Sequence, residues 1–175
     1  RNEDALIRLK KELSTHINRI EYLKHDLSLD HSYLAVLAFI KQKNLNISGL
    51  INCAGIAQQG SFDTQELRHG EQSIEVNITA LIQLCHCIIP LLYTVKSPQE
   101  QPFIINVAST AAFQAGPKMA VYYASKAFVL SFTEALREEL LDSNILVSCL
   151  CPGFTKSNFF TNSNLSTLIV LAACD

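Results

Sequence analysis

The 175-residue sequence predicts an α/β fold, a doubly wound parallel sheet with helices on both of its faces. Three of the predicted strands are continuous apolar runs, which is typical of strands buried on both faces. Amphipathic segments with helical periodicity separate these runs, and parallel strands need such crossover connections. The chain has the length of one domain, and its 49% hydrophobic and 17% charged residues are sufficient for a core.

The predicted elements alternate along the chain and begin with a helix. Apolar residues at helical spacing predict helices over residues 4–14, 30–43, 64–95 and 119–141. Strands are predicted over residues 19–24, 48–52, 103–108 and 144–150. We expect Asp30 to cap the second helix and Pro90 to kink or end the third.

Composition and charge exclude several classes of protein. A net charge of −2 does not fit a nucleic-acid-binding surface. The sequence has no run of about 18 apolar residues, so we expect no membrane span, and the apolar stretch at 165–174 is too short for one. The polar start of the chain does not resemble a signal peptide. Because the six cysteines form no C-x-x-C pair and the five histidines lack metal spacing, we expect reduced core cysteines, no metal and a cytoplasmic protein.

Polar and turn-forming residues follow each predicted strand. They are His25-Asp26, Asn52-Cys53-Ala54-Gly55, Ser109-Thr110 and Pro152-Gly153. Ligands of doubly wound sheets bind beyond the carboxyl ends of the strands. Any one of these groups is ordinary loop chemistry, but four of them at one edge of the sheet favour a binding site.

The last long helix opens with a pair of residues suited to proton transfer. Tyr122 and Lys126 are four residues apart and share a helix face. An ammonium beside a phenol favours the phenolate, so we expect the pKa of Tyr122 to be lowered. Ser109 ends an apolar strand thirteen residues earlier and can reach the same edge. Taken alone, Tyr-x-x-x-Lys also fits a core tyrosine with a lysine whose stem is buried.

With these motifs in order, the sequence resembles the short-chain dehydrogenase/reductase family. The matching pieces are Asn52-Cys53-Ala54-Gly55, Val76-Asn77, Asn106-Val107-Ala108-Ser109, Tyr122-Tyr123-Ala124-Ser125-Lys126 and Pro152-Gly153. Each motif is weak alone, but five in register are specific. The resemblance implies that residues 1–175 form a single NAD(P)-binding, Rossmann-like domain that is partial at both ends relative to the family.

The same resemblance implies a reaction and four catalytic residues. Hydride would pass between a nicotinamide and a carbonyl or alcohol substrate, with Tyr122 as acid or base at the substrate oxygen. Ser109 would orient that oxygen, and Lys126 would hold the nicotinamide ribose. Asn77 would hold a water that links Lys126 to solvent.

Further positions match the cofactor contacts of the family. Asp26 corresponds to the acidic residue at the adenine, although it also fits a simple turn. The other matches are Asn52, Ala54, Gly55, Tyr122, Lys126, Pro152, Gly153, Thr155 and Ser157. Arg1 stands where NADP-preferring members carry a basic residue for the 2′-phosphate, so NADP is favoured over NAD.

The sequence departs from the family in one important respect. The Gly-rich turn T-G-x-x-x-G-x-G, which binds the pyrophosphate, is absent, since none of the six glycines has that spacing. We expect the sequence to be part of a longer protein whose last strand is also missing. A truncated, non-catalytic binding or regulatory subunit and a sugar-nucleotide epimerase or dehydratase are the alternatives.

The resemblance also predicts the partners. The helices at 71–95 and 119–141 would pair with their copies in a homodimer or tetramer. Residues 109–122 would form one wall of the substrate pocket. Because Phe113, Met119 and Val121 are apolar, we expect an apolar or acyl-like carbonyl substrate.

Overall fold

The computed structural model describes residues 3–14, 19–96 and 100–153, together with the backbone of residues 169–174. The helices are α1 (Glu3–Leu13), α2 (Ser32–Gln42), α3 (Leu67–Ile74), α4 (Ala80–Leu92) and α5 (Ala120–Glu139). A π-helical turn at Glu75–Thr79 joins α3 to α4, and a 3₁₀ turn follows at Thr110–Phe113. The strands are β1 (Asn46–Asn52), β2 (Phe103–Val107), β3 (Leu146–Leu150) and β4 (Ile169–Cys174).

The predicted helices and the last three predicted strands are confirmed within a few residues, but the strand at 19–24 is wrong. That segment is irregular. Its alternating charged side chains are held by ion pairs to neighbouring helices instead of by a strand ladder. Lys24 Nζ lies 2.9 Å from the Glu3 carboxylate, and Lys43 Nζ lies 3.5 Å from that of Glu21.

One predicted helix signal differs from the structure. Asp30 does not cap α2, because His31 occupies the N-cap position with φ 52° and its side chain makes no capping hydrogen bond. Pro90 lies inside α4, which ends two residues later at Leu92. An end of the helix close to this proline agrees with the expectation, and the predicted kink stays a prediction.

The sheet has the strand order β3-β2-β1-β4. β1 and β2 are parallel, β2 and β3 are parallel, and β4 runs antiparallel to β1. The doubly wound α/β class is confirmed, whereas β4 was not expected. It forms because an unpaired edge of β1 offers backbone donors and acceptors to any extended segment that can reach it.

The core lies on the face of the sheet that α4 and α5 cover. Leu50, Ile104 and Val147 point into it from three adjacent strands, and α4 adds Leu84 and Ile88. The opposite face is less covered within the described residues, since Leu146 and Leu150 of β3 are each 55% exposed. The core is thus filled by side chains from both strands and helices.

The stretch Leu67–Leu92 is long and apolar enough, by length and composition, to cross a membrane. This differs from the expectation that the chain has no such segment. A core helix passes the same test, and here Leu84, Ile88 and Leu92 are almost fully buried against the sheet and its neighbours. Packing in the protein core accounts for these apolar side chains, while Leu67, Ile74 and Ile82 of the same stretch are exposed.

A buried hydrogen-bond network joins the sheet to two helices. Asn106 of β2 is fully buried, and its Oδ1 accepts from Asn52 Nδ2 of β1 at 2.9 Å. Its Nδ2 donates to Thr133 Oγ1 of α5 at 3.0 Å, and the thiol of Cys85 in α4 lies 3.8 Å from its Oδ1. Each of these polar groups would cost free energy if it were left without a partner.

We predict that Asn106→Ala lowers the free energy of unfolding by about 2–4 kcal/mol, because it leaves the amide of Asn52 and the hydroxyl of Thr133 with fewer partners. Asn46→Ala is the matched control at the exposed start of β1 and should change stability by no more than about 0.5 kcal/mol. Urea denaturation measures both variants. Equal stabilities for the two would show that the network is not important for folding.

Candidate active site

Tyr122 and Lys126 lie on the first turns of α5, on the same face, as their spacing predicts. Both are buried, with 9% and 5% of their surface exposed. The Lys126 ammonium lies 5.9 Å from the centre of the Tyr122 ring. Its Nζ donates to the carbonyl oxygen of Val107, the last residue of β2, at 2.8 Å. α5 therefore brings both side chains to the carboxyl end of the sheet.

Ser109 reaches Tyr122 from the end of β2. It caps the 3₁₀ turn, where its Oγ accepts from the N–H of Ala111 at 3.1 Å. Its side chain is also hydrogen-bonded to Tyr122, which favours the phenolate. The structure thus brings together three of the four predicted catalytic side chains, those of Ser109, Tyr122 and Lys126.

The predicted lowering of the Tyr122 pKa is wrong for this structure. Burial raises its pKa above the usual 10.0, and the hydrogen bond from Ser109 only partly opposes this effect. Tyr123 also contributes to the raised pKa. The ammonium of Lys126 does not offset the loss of water around the phenol, so Tyr122 is protonated at neutral pH.

Burial also acts on Lys126, in the opposite direction. It lowers the pKa of the ammonium from 10.5 to about 8, while the thiols of Cys53, Cys149 and Cys151 partly oppose this. A lysine with such a pKa exchanges protons readily near neutral pH, as a group in a proton relay must.

Asn77, the fourth predicted catalytic residue, holds the turn after β1 in place. It lies in the π-helical turn, and its Oδ1 accepts from the N–H of Ile56 at 2.8 Å. Its Nδ2 donates to the carbonyl oxygen of Ile56 and to Ser125 Oγ, both at 2.9 Å. The Asn77 side chain thus links this turn to α5, while the predicted water remains a prediction.

Gly55, in the turn after β1, is buried directly against two of these residues. A Cβ placed on Gly55 would lie 3.3 Å from Lys126 Nζ and 3.6 Å from Asn77 Oδ1. A larger residue would press on the ammonium, so glycine allows the turn to approach Lys126 closely. The Lys126 ammonium and the hydroxyls of Ser109 and Tyr122 are donors whose chemistry fits the nicotinamide-ribose end of a dinucleotide. Cys53 in the same turn is exposed, contrary to the expectation of a core cysteine.

The loop after β3 closes the same edge of the sheet. The N–H of Thr110 donates to the carbonyl oxygen of Pro152 at 3.0 Å, which places Pro152-Gly153 beside the 3₁₀ turn. Thr155, Ser157 and Arg1, which were also predicted to bind the cofactor, lie outside the described residues.

Two other predicted cofactor residues have structural contacts. Asp26 Oδ1 accepts from both the N–H and the Oγ of Ser28, at 3.0 and 2.8 Å, which closes a local turn. Asn52 is 4% exposed and directs its amide nitrogen into the Asn106 network, and its contact with a cofactor stays a prediction.

A small open cavity adjoins Tyr122 and was not predicted in full. The start of α5 and the residues before it form one wall, which includes Lys118 and Met119. The loop after β1 forms another, with Gln58, Phe62 and Gln65. Sequence analysis missed this second wall because loop side chains follow no periodicity. The Gly116-Pro117 turn before Lys118 was the available signal.

Comparison with known proteins identifies the family. The sequence profile described as short chain dehydrogenase matches residues 1–167. The chain belongs to the short-chain dehydrogenase family. The resemblance of the motifs is thereby confirmed, and the Rossmann-like fold of this family agrees with the observed parallel strands.

Three individual relatives share between 28% and 30% of their residues with this short-chain dehydrogenase. Sulfoacetaldehyde reductase of Chromohalobacter salexigens is 30% identical over 164 residues, which are 91% of this chain and 62% of that protein. A solved short-chain dehydrogenase from Sphingobium yanoikuyae in complex with NADPH is 29% identical, with a TM-score of 0.82 and coverage of 95% of this chain and 63% of that one. A 3-ketoacyl-(acyl-carrier-protein) reductase from Brucella melitensis complexed with NADH is 28% identical, with a TM-score of 0.69 and coverage of 78% and 57%. This short-chain dehydrogenase chain therefore spans less than two thirds of the length of these relatives.

The buried ammonium of Lys126 gives a testable pH dependence. Between its native pKa of about 8 and the unfolded value of 10.5, the unfolded chain holds the proton and the native chain does not. Stability contributed by this group therefore rises with pH across that window, by about 3 kcal/mol in total. We predict that wild type gains stability over Lys126→Met by this amount when denaturation is measured from pH 8 to 10.5.

Lys11→Met is the control for this experiment, because Lys11 is exposed on α1. It should run parallel to wild type over the whole pH range. Parallel curves for wild type and Lys126→Met would instead contradict the lowered pKa of the buried Lys126.

Proposed function

We propose that the protein is an NAD(P)-dependent oxidoreductase that transfers hydride between the nicotinamide and a carbonyl or alcohol substrate. The observation that carries this proposal is the convergence of Ser109, Tyr122 and Lys126 at the carboxyl ends of β2 and its neighbours. A hydroxyl, a phenol and an ammonium at one point suit an oxygen that gains or loses a proton.

In the reduction direction, Tyr122 donates its proton to the oxygen of the substrate carbonyl. The bound cofactor supplies the hydride that the carbonyl carbon receives. Ser109 donates a hydrogen bond to the same oxygen and so holds it against the phenol. The Lys126 ammonium, fixed by the carbonyl of Val107, stabilises the phenolate that remains.

The raised pKa of Tyr122 suits its proposed role as the proton donor in the reduction direction. A phenol whose pKa lies above 10.0 is protonated at neutral pH, which is the state that a proton donor requires. Oxidation of an alcohol would first require the phenolate. The positive charge of a bound nicotinamide and of Lys126 would then have to lower the Tyr122 pKa.

The residues present would hold the nicotinamide half of the cofactor. Ala54 and Gly55 would lie beside the ribose, Lys126 would bind its hydroxyls, and Pro152-Gly153 would lie beside the nicotinamide. Asp26 would bind the adenine. NADP is the favoured form because of Arg1, and solved relatives carry NADPH or NADH.

The proposal also covers the oligomeric state, the substrate and the location of the protein. A homodimer or tetramer would use the helices at 71–95 and 119–141, on which Ile74, Ile82 and Leu141 are 39%, 37% and 67% exposed. The substrate is a small carbonyl or alcohol compound, and a cytoplasmic location follows from the composition. Sedimentation measures the oligomeric state directly.

We predict that Tyr122→Phe lowers kcat by about 10²–10⁴-fold, because it removes the proton donor and keeps the ring. Cofactor affinity should stay within about twofold, since the phenol hydroxyl acts on the substrate. Tyr123→Phe is the matched control on the adjacent residue, whose ring centre lies 6.0 Å away. It should turn over normally, and normal turnover in Tyr122→Phe would exclude the catalytic assignment.

We predict that the protein binds NADPH more tightly than NADH and that Gly55→Val abolishes binding of both. The added methyl groups would occupy the space beside Lys126 Nζ, 3.3 Å from the first added carbon. Fluorescence titration and thermal shift measure binding. Ala135→Val, at an exposed position on α5, controls for the added bulk and should bind normally. Undiminished binding by Gly55→Val would show that the cofactor lies elsewhere.

A further inference from the structure

We propose that Cys149 and Cys151 are an oxidative modification site, at which a peroxide forms a reversible disulfide that disturbs the candidate active site. The inference goes beyond the proposed function, which gives these two thiols no role. Cys149 lies in β3, and Cys151 directly precedes Pro152-Gly153, the loop that closes the edge of the sheet beside Ser109. A bond between the two sulfurs therefore acts on the backbone that leads into this loop.

The two thiols already lie side by side in the reduced protein. Their Sγ atoms are 3.8 Å apart, against about 2.0 Å in a disulfide. Alternate residues of a strand point to one face of a sheet, and both cysteines pack against the core on the same face as Val147. Both are only partly buried, so a small oxidant can reach them.

Closure of this disulfide shortens the backbone at the end of β3. Two residues along a strand separate Cα atoms by about 6.6 Å, whereas disulfides most often join Cα atoms about 5.5–6 Å apart. The bond therefore draws Cys151 back towards Cys149. Such a disulfide is more easily reduced than an unstrained one, which is typical of regulatory bonds in proteins whose cysteines are otherwise reduced.

Two backbone hydrogen bonds, one on each side of the second cysteine, connect this movement to the site. The N–H of Ala108 donates to the carbonyl oxygen of Leu150 at 2.8 Å, and the N–H of Thr110 donates to that of Pro152 at 3.0 Å. Ser109, which the proposed function places at the substrate oxygen, lies between the two donors. A displaced second cysteine disturbs both hydrogen bonds and hence the position of Ser109 relative to the loop.

The surroundings of the pair assign the first attack to Cys151. Burial, and to a lesser extent the hydrogen bond with Cys151, raises the pKa of Cys149 to about 11, so that thiol is protonated at neutral pH. Thiolates, not thiols, attack peroxides. Lys126 interacts electrostatically with both sulfurs, and an ammonium stabilises a nearby thiolate.

The oxidation transfers two electrons from the two sulfurs to one peroxide. The Cys151 thiolate attacks hydrogen peroxide, the O–O bond breaks, and a sulfenic acid forms. The departing hydroxide takes up the proton that the thiol had released and becomes water. The Cys149 sulfur then attacks the sulfenic sulfur, the S–O bond breaks, and the hydroxyl leaves with the thiol proton as a second water.

Mass spectrometry of tryptic peptides detects this disulfide directly. The peptide 138–156 contains Cys149 and Cys151 and no other cysteine, and the peptide 69–96 contains only Cys85 and Cys87. After the full chain is treated with hydrogen peroxide and its remaining thiols are alkylated, we expect the first peptide to lack two hydrogen atoms and two alkyl groups. Dithiothreitol should restore both thiols. The second peptide is the control, because residues two apart on a helix point in different directions.

The effect on the site is measured as NADPH affinity, which rests on the proposed function. Oxidation should weaken NADPH binding about fivefold, the equivalent of one lost hydrogen bond. Cys151→Ser should keep its affinity after peroxide. Cys53→Ser, which removes the exposed thiol in the turn after β1, should stay as sensitive as wild type.

The outcomes separate this inference from the proposed function. A peptide 138–156 that stays reduced overturns the modification site, and a disulfide that leaves NADPH affinity unchanged overturns its link to the active site. If NADPH binds to neither form, the proposed function fails, and hydrogen exchange decides the inference. The amides of Ala108 and Thr110 should then exchange faster in the oxidised chain than in the reduced one, and equal exchange rates overturn the link.

Discussion

Two consecutive residues of β2 hold α5 against the sheet through hydrogen bonds, and the candidate site depends on these two contacts. The buried carboxamide of Asn106 donates to Thr133, while the carbonyl of Val107 accepts from Lys126. Lys126 and Thr133 are seven residues apart, which is two helical turns, so both lie on one face of α5. Because neither polar group finds water in the interior, a sliding or rotated helix would leave both without partners. The same contacts that stabilise the fold therefore also fix the positions of Tyr122 and Lys126 relative to the strand ends.

A second set of hydrogen bonds attaches the turn after β1 to α5. Asn77 takes both backbone polar groups of Ile56 and bonds Ser125, the neighbour of Lys126. Asn77 lies in the π-helical turn within an otherwise continuous helix. Gly55, the residue before Ile56, is thereby held close to the ammonium. The turn after β1, α5 and β2 are thus joined by one set of polar contacts.

The predictions that the structure confirms rest on local patterns in the sequence. Helical spacing predicted the helices and placed Tyr122 and Lys126 on one helix face, and the apolar strand before Ser109 predicted that Ser109 reaches the same edge of the sheet. Sequence analysis failed where the outcome depends on distant partners. Residues 19–24 alternate like a strand but are irregular, whereas β4 forms by pairing with β1, more than a hundred residues earlier. The pKa of Tyr122 is a similar case, because spacing reveals the nearby lysine but not the burial that outweighs it.

Burial acts on both titratable side chains that α5 brings to the site, and it favours the uncharged form of each. The loss of water raises the pKa of the Tyr122 phenol and lowers that of the Lys126 ammonium to about 8. The two shifts have opposite directions because the charged form is an anion in one case and a cation in the other. The phenol therefore holds its proton at neutral pH, while the lysine lies close to its own pKa and can gain or lose a proton. The hydrogen bond from Lys126 to the carbonyl of Val107 keeps the lysine at this position although burial disfavours its charge.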